Sequence, residues 1–382
     1  MKKIAIGIII LLIAVLGYII LSNKNNPNET PGNTSSGKLP NSEEEFVRES
    51  PQKPAVLSEQ NTTEGQISYG IFIDSPVKAY KMASESSAYL IGENGSIEKK
   101  TGSSMETVLP ASSSLPVLKA GFSADAKFAY AIMGTKNNPT ISIADITKRA
   151  WLPLKIYPVD AAWSPDSKSL AILGALDGNM SVWLIKMDDK KPTPAKIVDF
   201  SVLDGRLYFR DAQSLLIYKE PSSKNSGKVW ELFLKNKTIS PITIDNYGLS
   251  AIGNSSATLI YSGSEEGRGL YLYKNDLVPI KLPFLTLPEK CAIKNSASST
   301  SLVCAIPRNQ TGWDRRDMPD SYWRSELQAD DDIAEYSISK ESVSPIFNNN
   351  YEPFDAIDIQ VLGSVVAFKN KLDNKVYAII TK

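Results

Sequence analysis

The residues whose chemistry suits recognition are concentrated in one stretch near the carboxyl end of the chain. Between Pro307 and Asp332, aromatic rings are interleaved with guanidinium groups, a composition that is enriched at the energetic centres of protein interfaces. The predicted binding set is Trp313, Arg315, Arg316, Tyr322, Trp323 and Arg324. The alternative is a cap, in which the rings pack over underlying structure while the charges stay in water. The two roles are compatible.

The chain has two cysteines, Cys291 and Cys304. They are placed symmetrically about the polar turn at 295–300, so a hairpin would bring them opposite each other. In an exported protein such a pair is expected to form a disulfide, whereas the alternative is two buried thiols. We predict a disulfide with a structural role.

The sequence gives little support for a catalytic, metal-binding or nucleic-acid-binding site. The chain has no histidine, which excludes histidine-activated nucleophiles and histidine ligands for zinc. The run Asp330-Asp331-Asp332 lacks the alternating ligands of a calcium loop, and we predict a solvated turn there. The formal net charge is zero, which argues against nucleic acid as a partner. No catalytic residue, metal ligand or cofactor is predicted.

The elements that must position these residues recur along the chain. From about residue 66, short β-rich runs alternate with turns, and the turns Phe122-Ser-Ala-Asp125 and Trp163-Ser-Pro-Asp166 are 41 positions apart. A period of about 40 residues without helices is typical of a β-propeller, whose blades bury their faces by stacking around a ring. The predicted class is therefore all-β with seven blades, and six is the alternative because the first unit is weakly marked. The units begin near residues 77, 117, 157, 199, 247, 288 and 354.

Two features refine the propeller prediction. The last unit runs out of chain after its third strand, so the strand at 66–73 is predicted to complete it and close the ring. Aromatic residues recur at one place in the third strand, which indicates core packing rather than a sugar-binding platform. These residues are Trp183, Trp230, Tyr271 and Tyr377.

The predicted binding set interrupts the repeat. It lies between the second and third strands of the sixth unit, where 31 positions separate Leu302 from Ile333, against 12 between Leu170 and Val182 in the third unit. Long connections in compact folds are usually functional or disordered, and in a propeller they project from one face near the channel.

The stretch Trp163-Ser-Pro-Asp-Ser-Lys-Ser-Leu-Ala171 resembles the repeat of TolB-type, WD40-like (PD40) β-propellers. The segment Phe122–Ala129 is a weaker second match. Ser167 stands where that repeat usually has glycine. The resemblance implies a propeller that lies outside the cytoplasm or has a binding role, and it carries over no catalytic site.

The amino terminus predicts a membrane anchor. Lys2 and Lys3 precede an uninterrupted apolar run from Ile4 to Leu21, which as a helix would rise about 27 Å, close to the thickness of the hydrocarbon core. We predict a cytoplasmic stub at 1–3, an uncleaved signal anchor at 4–21, a disordered linker at 22–65 and an exported propeller at 66–382. A cleaved signal peptide is the alternative.

Together these patterns predict a single-pass membrane protein with an extracytoplasmic propeller that binds a protein, a peptide or an envelope glycan. A bacterial envelope is the predicted location. One alternative is a carbohydrate-active enzyme, a lyase or hydrolase, whose carboxylates and arginine would meet at the channel mouth. The other is a purely structural spacer.

Overall fold

The computed structural model describes residues 68–189, 192–274, 278–295, 299–315 and 317–381. The predicted stub at 1–3, membrane anchor at 4–21 and linker at 22–65 lie outside these residues, as does Arg316, and they stay predictions. Within the described ranges, no helix is long and apolar enough to cross a membrane.

Seven four-stranded antiparallel sheets form the blades of a β-propeller. The first blade contains β2 (Val77–Ser84), β3 (Ser87–Gly92), β4 (Ile97–Thr101) and β5 (Ser104–Leu109). The second contains β6 (Val117–Phe122), β7 (Phe128–Thr135), β8 (Asn138–Asp145) and β9 (Ala150–Leu154). The third contains β10 (Tyr157–Trp163), β11 (Ser169–Leu176), β12 (Asn179–Lys186) and β13 (Ala195–Asp199).

The remaining blades follow the same order. The fourth contains β14 (Gly205–Asp211), β15 (Ser214–Lys219), β17 (Val229–Phe233) and β18 (Thr238–Pro241). The fifth contains β20 (Ser250–Gly253), β21 (Thr258–Ser262), β22 (Gly269–Tyr273) and β23 (Ile280–Lys281). The sixth contains β24 (Cys291–Asn295), β25 (Thr300–Pro307), β26 (Asp331–Ser337) and β27 (Ser342–Phe347). The seventh contains β28 (Ala356–Leu362), β29 (Val365–Asn370), β30 (Val376–Ile380) and β1 (Ser68–Ile73). A separate two-stranded sheet pairs β16 (Ser226–Gly227) with β19 (Asn246–Tyr247).

The two ends of the described chain close the ring in the seventh blade. Strand β1 pairs antiparallel with β30, so that Ser68 lies opposite Ile380 and Ile73 opposite Val376. The predicted closure is confirmed, and seven blades rather than six are present. Closure provides the last blade with a fourth strand and leaves its third strand no open edge.

The apolar core lies between successive blades. Leu173 and Val182 of the third blade, for example, pack in one cluster with Phe209 and Leu215 of the fourth. The recurring third-strand aromatics occupy matching positions, because each lies opposite an apolar residue of its second strand. These pairs are Trp183–Ile172, Trp230–Ile217, Tyr271–Ile260 and Tyr377–Phe368.

The turn that marks the repeat forms through local hydrogen bonds. Ser164 Oγ donates to Asp166 Oδ1 at 2.6 Å and accepts from the N–H of Ser169 at 2.9 Å. Ser167 adopts a φ of 62°, the left-handed conformation for which the family repeat uses glycine. Its hydroxyl accepts the N–H of Asp125 at 2.9 Å, so the serine links two neighbouring blades at a position where glycine could not.

The topology gives the ring two distinct faces. First strands of neighbouring blades contact one another and therefore line the central channel. Because strands alternate in direction, the connections from second to third strands and from blade to blade lie on one face, which we call the capped face. The connections from first to second and from third to fourth strands lie on the opposite face.

Candidate functional site at the capped face

The long connection of the sixth blade forms a cap, defined as residues 308–330 between β25 and β26. It contains two short helices, α1 (Gln310–Trp313) and α2 (Asp320–Trp323). Asn309 begins α1, and its side chain accepts a hydrogen bond from the N–H of Gly312 at 2.8 Å. The predicted loop is therefore ordered, and it joins a second strand to a third on the capped face.

The cap reaches the connections of other blades. Asp320 accepts hydrogen bonds from the N–H and the Oγ of Ser223 in the fourth blade, at 3.0 and 2.9 Å. Arg268 of the fifth blade donates to Asp314 at 2.6 Å. These contacts hold the cap across the tops of three blades.

The cap also packs closely against the backbone that joins the fourth blade to the fifth. Gly248 has a φ of +64°, and a Cβ atom added there would lie 2.8 Å from Cδ of Pro319. Glycine meets both requirements, since it tolerates this conformation and leaves room for the cap.

The underside of the cap is an aromatic core. Trp313 and Tyr322 are fully buried, and their ring centroids are 5.0 Å apart. Cys291 and Cys304 belong to the same cluster and form a disulfide as cross-strand partners in the first hairpin of the sixth blade. The predicted disulfide is confirmed, and it lies directly beneath the cap.

An ionic cluster is buried beside these rings. The ammonium of Lys290 donates to Asp331 Oδ2 at 2.7 Å and to Asp355 Oδ1 at 2.5 Å, and all three side chains are inaccessible to water. The hydroxyl of Tyr322 donates to Asp355 at 2.7 Å, and the N–H of Ala356 donates to Asp331 at 2.8 Å. The cluster therefore joins the cap to the first strands of the sixth and seventh blades.

The cluster has two carboxyl groups and one ammonium, so burial favours retention of one proton. Burial raises the pKa of Asp331 to about 7; Lys290 opposes this rise and Asp355 adds to it. Oδ1 of Asp331 has no hydrogen-bond partner among the described residues and is free to carry that proton. Burial and the nearby Asp355 also raise the pKa of Tyr322 well above its usual range, so its hydroxyl remains a donor.

The prediction of a solvated turn at Asp330-Asp331-Asp332 is wrong for its central residue. Asp331 is fully buried, while Asp330 and Asp332 are half-buried. The difference arises because Lys290 and the cap cover the start of β26. In the described part of the chain, no group of three cysteine, aspartate or glutamate side chains is arranged to hold a metal ion.

The structure separates the predicted binding residues into two environments. Trp313 and Tyr322 are inside the cap, where they form its core and cannot touch a partner directly. Trp323 packs edge-on against Tyr322 with 40% of its surface exposed.

The predicted arginines are engaged within the cap. Arg315 Nε lies 2.9 Å from a carboxylate oxygen of Asp317, and Arg324 Nε lies 2.7 Å from one of Glu326. Both guanidinium groups remain exposed, so a partner could still contact them, whereas Arg316 lies outside the described residues. Recognition by these residues stays a prediction.

A second feature of the capped face is its exposed apolar side chains. Among the described residues, seven large apolar side chains that are exposed in connections lie on this face, against Val278 alone on the opposite face. Two of them, Ile244 and Leu203, are 82% and 79% exposed. The seven are Leu115, Leu203, Ile244, Tyr247, Trp323, Tyr351 and Leu372.

The channel brings carboxylates and an arginine together. Glu289 lies just before β24, at the capped end, and burial raises its pKa. Arg206 lowers that pKa and Asp358 raises it, so the three groups are electrostatic neighbours. Asp160 is fully buried and pairs with Lys119. The enzyme alternative requires carboxylates and an arginine near one another, and Arg206 is itself paired with Glu220 at 2.6 Å.

Sequence reasoning missed the buried cluster. Lys290 and Asp355 each lie immediately before the first strand of a blade, and Asp331 begins a third strand. A charged residue directly before an apolar strand is the local signal, but it is also the commonest pattern of a solvated strand end. The distinguishing feature is the cap above them, which the pattern does not show.

No protein-family model matches the sequence, and no curated protein matches it. Solved structures resemble the fold. The tricorn protease is 11% identical to this chain, with a TM-score of 0.51. The aligned region covers 84% of this chain and 34% of the protease chain. A prolyl endopeptidase is 10% identical to this chain, with a TM-score of 0.50. The aligned region covers 78% of this chain and 47% of the endopeptidase chain. TolB from Acinetobacter baumannii is 12% identical to this chain, with a TM-score of 0.35. The aligned region covers 79% of this chain and 61% of the TolB chain.

The chain thus spans less than half the length of the two proteases and about three fifths of TolB. At these identities the likeness shows the fold, a β-propeller.

Proposed function

We propose that this protein is a membrane-anchored, extracytoplasmic binding module whose capped face docks a protein partner. The exposed apolar side chains of that face carry the proposal. The exposed apolar side chains in connections are concentrated on this face, which favours it as an interface, and fully burying one such side chain contributes on the order of 1.5–3 kcal/mol.

The cap gives this face a rigid form suited to docking. Its aromatic core, its disulfide and its buried ionic cluster fix the loop before any partner arrives, so little conformational entropy is lost on binding. The exposed ring of Trp323 and the guanidinium of Arg324 are then displayed at the surface, in the mixture of apolar and charged groups common at interfaces.

The direction of β1 also supports the proposal. In β1, Ser68 pairs with Ile380 at the opposite face, and Ile73 pairs with Val376 at the capped face. The described chain therefore begins at the opposite face, and its first residue is not on the capped face.

The test is site-specific photo-crosslinking with the full-length chain in its native membrane. A photoreactive residue at Ile244, 82% exposed on the capped face, is compared with one at Val278, 78% exposed on the opposite face. We expect a discrete protein adduct from position 244 and none from position 278.

Equal adducts from both positions would contradict docking at the capped face, and an adduct sensitive to glycan hydrolysis would point to a glycan instead. No adduct at either position would favour the structural spacer.

A second candidate is a carbohydrate-active enzyme at the channel mouth, favoured by the raised pKa of Glu289 beside Arg206 and Asp358. A buried carboxyl group whose pKa is raised suits a general acid. If this candidate is right, the full-length protein depolymerises an envelope polysaccharide and Glu289→Gln abolishes that activity without lowering the melting temperature.

A further inference from the structure

The central channel holds a cavity remote from the cap. Its volume is about 560 Å³, and first strands of six blades line it, all except the sixth. The cavity reaches the turn residues Ala124, Pro165 and Asn254, which join first strands to second strands. It therefore opens towards the opposite face, away from the proposed docking surface.

The cavity is rich in positive charge. Among the described residues that line it are four cationic side chains and a single carboxylate: Lys78, Lys81, Lys119, Arg210 and Asp358. Most of these charges are already matched within the protein. The matching pairs are Lys78–Glu93 at 3.9 Å, Lys119–Asp160, Arg210–Glu231 at 2.9 Å and Lys369–Asp358 at 3.2 Å.

Lys81 is the exception. Its ammonium has no hydrogen-bond or ion-pair partner in the described part of the chain, although the residue is half-buried in β2. Burial lowers the pKa of its ammonium, which shows that the site disfavours an isolated positive charge. An anion beside Lys81 would offset that cost.

A second unused donor lines the same cavity. Nε of Arg210 is buried and has no acceptor among the described residues, although another nitrogen of its guanidinium pairs with Glu231. The remaining wall is mostly apolar and includes the rings of Phe122, Tyr130 and Trp163. A ligand that fits this cavity combines an anionic group with an apolar body.

We propose that this cavity binds an organic carboxylate with an aromatic or aliphatic body, and that Lys81 is the counter-ion of the carboxylate. The ammonium forms a charge-assisted hydrogen bond with the carboxylate, while the rings of Phe122 and Trp163 contact the body. The carboxylate belongs to a free small acid or to the carboxyl terminus of a peptide. This proposal is independent of docking at the capped face, because neither Lys81 nor the cavity belongs to that surface.

Binding is measured by saturation-transfer NMR titration of the full-length protein in detergent. Benzoate is compared with benzamide, which has the same ring and no charge, and the dipeptide Ala-Phe is compared with its carboxyl-terminal amide. We expect each carboxylate to bind at least about tenfold more tightly than its amide, since a hydrogen bond between charged groups is lost in the amide. Preference for benzoate indicates a small acid, and preference for Ala-Phe indicates a peptide terminus.

Variants of the lysine complete the test. Lys81→Met keeps the length of the side chain and should reduce the affinity for the carboxylate to that for the amide, whereas Lys81→Arg should restore most of it. Lys340→Met, at an exposed lysine between β26 and β27, is the matched control and should change nothing. Equal binding of acid and amide, unchanged binding by Lys81→Met, or no detectable binding of either acid would overturn the proposal.

Discussion

Replacing Lys290 by methionine tests whether the ionic cluster beneath the cap holds the sixth and seventh blades together. The substitution removes the one positive charge and keeps the length of the side chain. Two carboxyl groups then remain in a site inaccessible to water. Breaking a buried ion pair from one side typically costs about 3–5 kcal/mol, and we expect Lys290→Met to lower the free energy of unfolding by that amount at pH 8.

The loss should depend on pH, because a buried carboxylate can avoid its charge by binding a proton. The pKa of Asp331 is raised from 3.8 to about 7, so between these values the folded protein holds a proton that the unfolded chain has released. The stability contributed by this group is fully present below about pH 4. This stability is lost as pH rises to about 7. Over that range the unfolding equilibrium constant increases by up to about tenfold per pH unit.

Lys290 lowers the pKa of Asp331, so its removal moves that pKa higher and extends the loss above pH 7. The destabilisation by Lys290→Met is therefore expected to be smaller at pH 5 than at pH 8. At pH 5 Asp331 is protonated, so the variant buries fewer unpaired negative charges than it does as that group ionises towards pH 8.

The assay is urea unfolding of the full-length chain, followed by tryptophan fluorescence at pH 5.0, 6.5 and 8.0. Lys340→Met is the control for a lysine lost from the surface. Asp331→Asn, which fixes a neutral group at the titrating position, should flatten the pH dependence between pH 4 and 7. The reasoning is refuted if Lys290→Met costs the same free energy at pH 5 and pH 8, or if Asp331→Asn retains the wild-type pH profile.

Two further predictions concern the same region. Reduction of the Cys291–Cys304 disulfide, which closes a loop with a sequence separation of 13, should lower the free energy of unfolding by about 3 kcal/mol. The measurement is urea unfolding with and without reductant, and an unchanged midpoint of unfolding would contradict the prediction. Gly248→Ala should destabilise the protein by about 1–2 kcal/mol and make residues 308–330 more susceptible to limited proteolysis, because its Cβ meets Pro319. Gly102→Ala is the matched control, since Gly102 also has a positive φ but has open space around it, and proteolysis of 308–330 at the same rate in both variants would count against the clash.

The architecture follows from local patterns that the sequence carries openly. Strand alternation, turn chemistry at Ser164–Asp166 and the recurrence at about 40 residues predict the seven blades, and the missing last strand predicts closure by β1. The disulfide is equally local, because Cys291 and Cys304 are partners in one hairpin whose turn sets their register. Such features are predictable because they depend on neighbours along the chain or in the next strand.

The repeat also explains why the predicted departure at Ser167 is tolerated. Its position needs a left-handed backbone, and the hydroxyl compensates for the strain by binding the neighbouring blade. The sequence showed the departure from glycine, but the contact with Asp125 depends on how the second and third blades stack.

The candidate site depended on tertiary structure. Lys290 lies 41 positions from Asp331 and 65 from Asp355, and nothing in the local sequence shows that the three side chains meet. Interleaved aromatics and arginines marked the right segment, yet the fold buries Trp313 and Tyr322 and leaves Trp323 exposed in part. In the sequence Lys81 resembles any other strand lysine, and only the closed ring places it in the channel without an ion-pair partner among the described residues.

What the sequence determined by itself is therefore the repeat, its closure and the hairpin disulfide. What only the tertiary structure decided is which side chains lose contact with water. Strand and turn patterns depend on interactions between residues a few positions apart, and these interactions are the same in every blade. The protonation of Asp331 and the isolation of Lys81 depend on the local dielectric and on partners from other blades, and these exist only once the ring has closed and the cap covers it.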